Sequence, residues 1–462
     1  MKRVVVVGNG MAGARVVDEL RRRDPHLEIT VFGAENRPAY NRILLSDVLA
    51  GKREDVTLGG VDGVQRHLGV PVVSIDRSAQ LVTASDGSRT PYDALVLATG
   101  SEAVVPPVQG IAGPSGLLLD GVFVFRTVED CNAIAARAKR STTAVVVGGG
   151  LLGLEAARGL LQHGLKVEIV HGAGHLMDVQ LDPAGGTILR RAVEALGVGV
   201  HLGSFASRVD GTRHVTGVGL ADGRHVSGDL VVLACGVRPQ VGLARSMGLA
   251  VERGVVVDDE LRTDDDRVFA IGECAQHRGS VYGLVAPAWE QAAVLADVLT
   301  GRGGRYTGSR LVTRLKAMDL DVAAMGDTNP GLEDDVAGQE VVVWADPARN
   351  TYKKLVVRDG VLTGALLVGD VSTSGLVTQA FDRGTPLPTD RSALLFAPRR
   401  GGSGVVADED TVCTCNAVTA GEIRTCHSLP EVVLKTRATT GCGTCTSVVK
   451  TLLSKAVERT VA

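Results

Sequence analysis

Two glycine-rich loops of one pattern, each placed between a strand and a helix, constrain this chain most strongly. The glycines of the loops are Gly8, Gly10 and Gly13, and then Gly148, Gly150 and Gly153. In this pattern the first glycine allows a tight turn, the second lets a pyrophosphate approach the backbone, and the third lets helix and strand pack closely. The following helix directs its positive N-terminus at the phosphates. Two such units predict two bound dinucleotides and an α/β fold with parallel sheets.

Three further segments have the form of a buried strand that ends in a glycine or an acid. They cover residues 92–100, which end in Thr99 and Gly100, then residues 230–239, and residues 263–273, which end in Gly272 and Glu273. An acid can also bind a ribose hydroxyl pair shortly after the second strand of a dinucleotide unit. Glu35 lies near that place, 22 residues after Gly13, and the other interpretation of Glu35 is a solvated loop acid.

The length of 462 residues is too great for one core and suits several domains. The predicted boundaries are 1–120 and 241–305 for the first dinucleotide domain, 121–240 for the second, 306–396 for a small α/β domain, 397–408 for a linker and 409–462 for a cysteine domain. Within the third domain, Asp359-Gly360 lies between two apolar runs, which predicts a β-hairpin.

Four cysteines near the end of the chain form two close pairs, Cys413 with Cys415 and Cys442 with Cys445. Thiolates at such spacing suit a [2Fe–2S] cluster or a zinc ion, although zinc sites more often use two C-x-x-C pairs. Free thiols or disulfides are the third alternative. Cys131, Cys235 and Cys274 are predicted to be buried thiols. Cys426 lies between the two pairs and is not expected to be a ligand; its alternative role is to replace a ligand in a distorted cluster.

Composition excludes several classes of function. The net charge is −3 and the isoelectric point about 6.4, so no general attraction to nucleic acid or to an acidic membrane is expected. No apolar run approaches the ~20 residues of a membrane span, and the cysteine usage predicts the cytoplasm. The histidines lack metal-ligand spacing and are predicted to be surface or loop residues. The acidic run over residues 258–266 is predicted to be a solvated loop, with a calcium site as the alternative.

The order of these motifs resembles the two-dinucleotide flavoprotein reductases. More narrowly, residues 7–15, 40–46, 272–275 and 282–287 resemble the large subunit of NAD(P)H nitrite reductase and the stand-alone electron-transfer subunit of assimilatory nitrate reductase. The tail resembles bacterioferritin-associated ferredoxin domains. The resemblance covers nearly the whole chain. It implies two Rossmann-like FAD- and NAD(P)-binding domains of the pyridine nucleotide-disulfide oxidoreductase fold, a small α/β C-terminal domain and a small helical [2Fe–2S] domain.

The resemblance also implies roles for individual residues. FAD contacts are expected from Gly8, Gly10, Gly13, Glu35, Arg42, Thr99, Gly100, Gly272 and Glu273, NAD(P) contacts from Gly148, Gly150, Gly153 and Glu155, and cluster ligation by Cys413, Cys415, Cys442 and Cys445. The alternatives are a surface salt bridge for Arg42 and an ordinary helix acid for Glu155. The second unit's strand ends in Val170-His171-Gly172, where an acid would favour NAD and an arginine NADP. The choice of nucleotide therefore stays open.

The implied function is electron transfer from NAD(P)H through FAD and a [2Fe–2S] cluster to a partner, with nitrate or nitrite reductase of nitrogen assimilation as the expected acceptor. A reductase for ferredoxin, rubredoxin or an oxygenase is one alternative, and a zinc-held docking or sensing tail is another.

The first cysteine is Cys131, which excludes the early redox-active pair of disulfide reductases. The chain ends before the sirohaem half of a nitrite reductase, so it is not expected to reduce nitrite alone. Only 26 residues separate Cys415 from Cys442, fewer than is usual in the family. Residues 306–396 are a candidate surface for a homodimer.

Overall fold

The computed structural model describes residues 2–113, 115–317, 320–334, 336–396, 406–413, 416, 418–440 and 445–460. The strands up to residue 240 are β1 Arg3–Val7, β2 Glu28–Gly33, β3 Gln65–Leu68, β4 Val72–Asp76, β5 Leu81–Ala84, β6 Arg89–Pro91, β7 Ala94–Leu97, β8 Ser101–Ala103, β9 Val122–Val124, β10 Thr143–Val147, β11 Lys166–His171, β12 Gly199–Leu202, β13 Ala206–Gly211, β14 Val215–Leu220, β15 His225–Ser227, β16 Leu230–Leu233 and β17 Val237–Pro239. The later strands are β18 Val255–Val257, β19 Val268–Ala270, β20 Ala275–His277, β21 Val312–Ala317, β22 Leu320–Gly326, β23 Gln339–Asp346, β24 Thr351–Arg358, β25 Val361–Val368, β26 Thr411–Cys413 and β27 Val418–Thr419.

The α-helices are α1 Met11–Arg23, α2 Leu45–Leu49, α3 Val128–Ala138, α4 Leu151–Gln162, α5 Pro183–Ala195, α6 Gly242–Ser246, α7 Val285–Leu299, α8 Ser374–Arg383, α9 Ser392–Leu395, α10 Ala420–Arg424, α11 Leu429–Thr436 and α12 Thr446–Thr460. Short 3₁₀ turns cover Arg42–Leu44, Gly272–Cys274 and Pro347–Arg349. The chain forms two compact units. The first contains residues 2–42, 55–102 and 237–309, and the second contains residues 43–54, 103–236 and 310–460.

The first unit is built on a parallel five-stranded sheet in the order β19-β7-β1-β2-β3. Strand β1 lies in the middle and pairs Val7 with both Phe32 and Leu97. Its four valines are buried because other elements of the unit pack on both faces of the sheet. This is why the sequence of β1 is an unbroken apolar run. The carboxyl ends of β1, β7 and β19 meet at one edge, where ligands bind in open α/β sheets.

The second unit repeats this arrangement with the sheet order β12-β11-β10-β16-β9, and its pairs are again parallel. A three-stranded antiparallel sheet, β13-β14-β15, follows β12 in the chain. Helix α2 packs against α3 and α4, and the His163 Nε2 atom lies 2.7 Å from the Leu49 carbonyl oxygen. Residues 43–54 thus extend the second unit, although they lie between segments of the first in the chain.

The five strands β21 to β25 form an antiparallel sheet in the order β21-β22-β25-β24-β23, which is the centre of the domain that ends near Leu395. The predicted hairpin is confirmed. Asp359 and Gly360 have φ of +50° and +77° between the paired residues Arg358 and Val361, which is typical of a type I′ turn. Strand β24 is buried on both faces, and a sequence alternation between core and solvent therefore does not describe it.

Two consecutive lysines are buried on β24, which points their side chains to opposite faces. Lys353 Nζ donates to Asp370 at 2.6 Å and to the Leu395 carbonyl oxygen at 2.6 Å. Lys354 Nζ donates to Asp182 and to the Thr328 carbonyl oxygen, both at 2.9 Å. Both ammonium groups therefore have the charged and polar partners that burial requires.

The tail forms a small helical domain around an apolar cluster. Thr419 caps α10, and the Glu422 carboxylate reaches back to the Thr419 N–H at 2.7 Å, which completes a capping box. Ile423, Val432 and Val449 are fully buried between α10, α11 and α12. Cys426 is buried in the same cluster. The tail is thus a packed domain with its own core.

The prediction of surface histidines is wrong for one residue. His277 on β20 is 1% exposed, and its Nε2 atom lies 2.9 Å from the Asp259 carboxylate. Arg278 and Arg305 also donate to Asp259, which keeps the pKa of this carboxyl well below its ordinary value. Asp259 is therefore paired with three basic side chains and does not belong to a solvated acidic loop. Within the described ranges, no helix is long and apolar enough to cross a membrane.

Candidate functional site

The first glycine loop is closely packed except where a phosphate would enter. A Cβ atom on Gly8, whose φ is +117°, would lie 2.1 Å from the Ala98 carbonyl oxygen. A Cβ atom on Gly13 would lie 2.0 Å from the Gly8 carbonyl oxygen, which is why α1 can start directly beside β1. A Cβ atom on Gly10 would meet nothing within 4 Å. This open space at the start of α1 fits a pyrophosphate.

The predicted ribose acid lies just after β2 and is held by two neighbours. Tyr40 Oη donates to one carboxylate oxygen of Glu35 at 2.7 Å, and Arg42 pairs with the other oxygen. The Arg42 guanidinium also lies over the Tyr40 ring, 4.7 Å from its centroid. Each carboxylate oxygen has two lone pairs, so Glu35 can still accept ribose hydroxyls. Arg42 lies beside this acid, and its contact with the flavin stays a prediction.

The predicted segments 92–100 and 263–273 reach the same edge of the sheet as the first glycine loop. A Cβ atom on Gly272, whose φ is +76°, would lie 2.9 Å from the Ala12 side chain, so this turn runs against α1. The Ser101 hydroxyl donates to the Glu273 carboxylate. The Gly272 N–H donates to the buried Gln291 side chain at 2.7 Å. The backbone at Gly272 is thereby fixed beside the first glycine loop.

Thr99 and Gly100 form the turn after β7. Thr99 Oγ1 donates to the Gln240 carbonyl oxygen at 2.7 Å, and Gly100 has φ of +70° with open space around its Cα. The sequence pattern did not single out Ser101, Gln240 or Gln291. Ser101 lies 172 residues from its partner Glu273, and Gln240 lies 141 residues from its partner Thr99. No local sequence pattern could therefore have identified Ser101 or Gln240.

The second glycine loop repeats the close backbone contacts of the first. Gly148 has φ of +116°, and a Cβ atom on it would lie 2.2 Å from the Ala234 carbonyl oxygen. A Cβ atom on Gly153 would lie 1.9 Å from the Gly148 carbonyl oxygen, whereas Gly150 has nothing within 4 Å. The second unit therefore offers a second pyrophosphate cradle at the start of α4.

Glu155 lies in the second turn of α4, behind this cradle. Burial, together with the negative charge of Asp47 on α2, raises the pKa of Glu155 to about 7. A carboxyl group with a pKa near neutral pH is a candidate for proton transfer, and structural acids can behave in the same way. The predicted position near the nicotinamide stays a prediction.

Two of the four predicted cluster ligands lie within the described residues, and they lie together. Cys413 ends β26 and Cys445 precedes α12, and both are buried. A hydrogen bond from Cys445, helped by the N–H groups of Thr439 and Asn416, lowers the pKa of Cys413 to about 6 against the effect of burial. The site therefore favours the thiolate that a metal centre needs. Cys415 and Cys442 lie outside the described residues.

Hydrogen-bond donors to this sulfur come from Asn416, directly after the first cysteine pair, and from Thr439 in the loop before the second pair. Asn416 Nδ2 lies 3.7 Å from the Cys413 sulfur and 2.7 Å from the Arg437 carbonyl oxygen. Arg437 and Thr439 both have positive φ, +60° and +73°, which turns the backbone around the cysteine. Donors to sulfur tune the potential of iron–sulfur clusters, so this donor set fits a cluster.

The other cysteines serve packing. Burial raises the pKa of Cys131 to about 12 and also raises the pKa of Cys274, and both thiols are fully buried. Cys235 differs from the prediction because it is half-buried, with its sulfur 3.4 Å from the Val147 carbonyl oxygen. The Cys426 thiol points to the Glu422 carbonyl oxygen of α10 at 3.7 Å.

Two pyrophosphate cradles on parallel sheets, with a cysteine domain after them, define a flavin- and nicotinamide-dependent oxidoreductase. The chain belongs to the pyridine nucleotide-disulphide oxidoreductase family, whose model matches residues 2–292. Residues 312–385 match the rubredoxin NAD⁺ reductase C-terminal domain, and residues 411–455 match the BFD-like [2Fe-2S] binding domain. The cofactors are FAD, NAD(P)H and a [2Fe–2S] cluster, and the cysteine tail is thus assigned to iron–sulfur rather than to zinc.

Curated relatives match nearly the whole chain. The nitrite reductase [NAD(P)H] of Bacillus subtilis (strain 168) is 36% identical over 98% of this chain and 57% of its own length. The assimilatory nitrate reductase electron transfer subunit of the same organism is 34% identical over 98% of this chain and 59% of its own length. The nitrite reductase [NAD(P)H] large subunit of Klebsiella oxytoca is 38% identical over 97% of this chain and 48% of its own length. The chain therefore spans about half to three fifths of these relatives.

Solved structures of electron-transfer reductases share the fold. The ferredoxin reductase of the CYP199A2 system from Rhodopseudomonas palustris superposes with a TM-score of 0.74 at 26% identity, over 84% of this chain and 96% of that one. The putidaredoxin reductase–putidaredoxin complex gives a TM-score of 0.76 at 25% identity, over 86% and 96%. The predicted fold class is confirmed by these likenesses together with the family matches.

Proposed function

We propose that this chain carries electrons from NAD(P)H to a partner reductase of nitrate or nitrite assimilation. The proposal rests on one combination: two pyrophosphate cradles and a buried pair of cysteines lie in one chain, and the curated relatives match 98% of that chain. When bound, FAD converts two-electron into one-electron transfer, and the cluster carries single electrons. Relatives that match over 98% of the chain bear nitrite and nitrate reductase names, which favours a nitrogen oxide reductase as the acceptor.

In this proposal the residues bind and orient, and none is a covalent catalyst. The backbone at Gly10 and Gly150 leaves space for the two pyrophosphates. Glu35 is held by its two neighbours in a position to accept ribose hydroxyls. Hydride transfer between stacked rings needs alignment more than acid or base groups, so rigid supports such as Gln291 serve the chemistry indirectly.

A buried pair of cysteines in a small domain supports delivery of electrons to a macromolecular acceptor. Cys413 and Cys445, together with Cys415 and Cys442, are the proposed cluster ligands. The free thiols elsewhere in the described chain favour the cytoplasm as the compartment.

The experiment is NADH-driven reduction of purified nitrate and nitrite reductases, compared with rubredoxin and ferredoxin as acceptors. The rubredoxin-reductase match of residues 312–385 makes these small proteins the second candidate. We expect turnover with a nitrogen oxide reductase that is lost in Cys442→Ser, whereas NADH still reduces the flavin in that variant. Equal loss of flavin reduction would contradict the proposed order of carriers. Turnover with rubredoxin or ferredoxin alone would favour the second candidate.

A further inference from the structure

The loop after β11 brings an acidic side chain to the place where the sequence has none. The strand ends in His171, and the Nδ1 atom of this ring accepts the Gly149 N–H of the second glycine loop at 3.2 Å. The Nε2 atom lies 3.0 Å from the Asp178 carboxylate. Because Nδ1 accepts, Nε2 carries the hydrogen and donates it to Asp178.

The same loop is closed over the glycines by further contacts. The Met177 N–H donates to the Gly149 carbonyl oxygen at 3.0 Å, so both peptide groups of Gly149 are engaged by this segment. The loop's far end is fixed as well, because Asp182 accepts Tyr352 Oη at 2.7 Å and Lys354 Nζ at 2.9 Å. Asp178 is therefore held on a segment that is fixed at both ends.

An exposed aromatic ring lies at the same edge of the sheet. The Phe205 ring contacts Gly172, the residue directly after β11, where a Cβ atom would lie 2.1 Å from the ring. Phe205 is 69% exposed, which is unusual for a phenylalanine and leaves a ring face for a flat partner. No lysine or arginine occurs in the sequence between Lys166 and Arg190. Asp178 and Phe205 thus place a carboxylate and an aromatic ring at this edge, and residues 167–189 supply no lysine or arginine for a second phosphate.

We infer that Asp178, held by His171, reads the adenosine ribose and makes this chain select NADH over NADPH. A carboxylate accepts the two ribose hydroxyls of NADH, and it repels the 2′-phosphate of NADPH. Phe205 supports the adenine of either nucleotide. His171 is a positioning residue, and Asp178 supplies the acid that is usually found at the end of the strand. The inference deepens the proposed function, since it names the electron donor at the second cradle.

The test is anaerobic stopped-flow reduction of the bound flavin by NADH and by NADPH, with no electron acceptor present. We expect the second-order rate constant of flavin reduction in the wild type to be at least about tenfold higher with NADH than with NADPH. Asp178→Asn should lower that ratio about tenfold, mainly by faster reduction with NADPH, because the amide still bonds to the ribose but no longer repels the phosphate. Failure to drive a nitrogen oxide reductase would leave this result unchanged.

Two control variants keep the inference falsifiable. Glu194→Gln removes an acid of similar exposure, 39% against 38%, from the last turn of α5, and should leave the ratio unchanged. Phe205→Ala should weaken NADH and NADPH equally by severalfold. A wild type that prefers NADPH, an Asp178→Asn ratio equal to that of the wild type, or full activity of Phe205→Ala would each overturn the assignment.

Discussion

Cys413 and Cys445 hydrogen-bond to each other through their sulfur atoms, although 31 residues separate them in the chain. The contact brings one member of each predicted cysteine pair to the same buried place. Since burial alone would keep a thiol protonated, the lowered pKa of Cys413 depends on the donors around it. The described part of the tail is thus arranged to hold negative sulfur.

Replacement of the second and third motif glycines of the second loop, Gly150 and Gly153, should have different effects on stability. Gly150→Ala has room for its methyl group in the folded chain, so we expect unchanged stability and a KM for NADH raised about tenfold, because the methyl group occupies phosphate space. Gly153→Ala would place its Cβ atom against a backbone oxygen, so it should lower the free energy of unfolding by at least about 2 kcal/mol. Denaturation curves and steady-state kinetics of both variants provide the measurement. Equal stability of the two would contradict this account.

The buried ion pair of Lys354 with Asp182 should be a major support of the second unit. Lys354→Met leaves a buried carboxylate without its cation, and we expect a loss of about 3 kcal/mol in the free energy of unfolding. Lys166→Met removes a lysine that is 70% exposed, against 4% for Lys354, and should leave the free energy of unfolding nearly unchanged. Chemical denaturation followed by circular dichroism compares them. Similar costs for both would mean that the buried pair adds nothing to stability.

Glu155 predicts a specific dependence of stability on pH. Its pKa is raised from the ordinary 4.5 to about 7, so between these values the folded state binds more protons than the unfolded state. The free energy of unfolding should therefore fall as the pH rises through this window, and this contribution should disappear in Glu155→Gln. The measurement is the difference between the wild-type and variant denaturation curves across the window. A difference that does not change with pH would show that Glu155 is ionised normally.

Much of the fold was predictable because its signals are local. Valine runs such as Val4 to Val7 are buried because other elements cover both faces of their parallel sheet. The glycines are needed where backbone a few residues or one strand away lies too close for a Cβ atom. The exact strand ends depend on pairing between strands. For example, β2 extends to Gly33 because that residue pairs with Leu68 of β3.

The parts that sequence reasoning missed depend on partners far away in the chain. His277 is buried because Asp259, 18 residues earlier, accepts its ring N–H. Lys354 can be buried because its ammonium group donates to Asp182, a residue 172 positions earlier in the chain. The acid beside the second cradle was missed for a similar reason, since a loop rather than the strand end carries Asp178 to His171. Charged residues give no local sign of burial when their partners come from another element.

The central claim is that electrons from NADH reach a sulfur-held iron cluster in the tail. Anaerobic EPR of the protein mixed with NADH, alongside iron, sulfide and flavin analysis, tests it most directly. Cys426→Ser is the matched control, because Cys426 is buried in the same domain and points to a helix carbonyl oxygen. We predict a reduced [2Fe–2S] signal in the wild type and in Cys426→Ser, and loss of that signal in Cys445→Ser with flavin reduction intact. An iron-free wild type that still supplies its acceptor at the full rate would contradict the account.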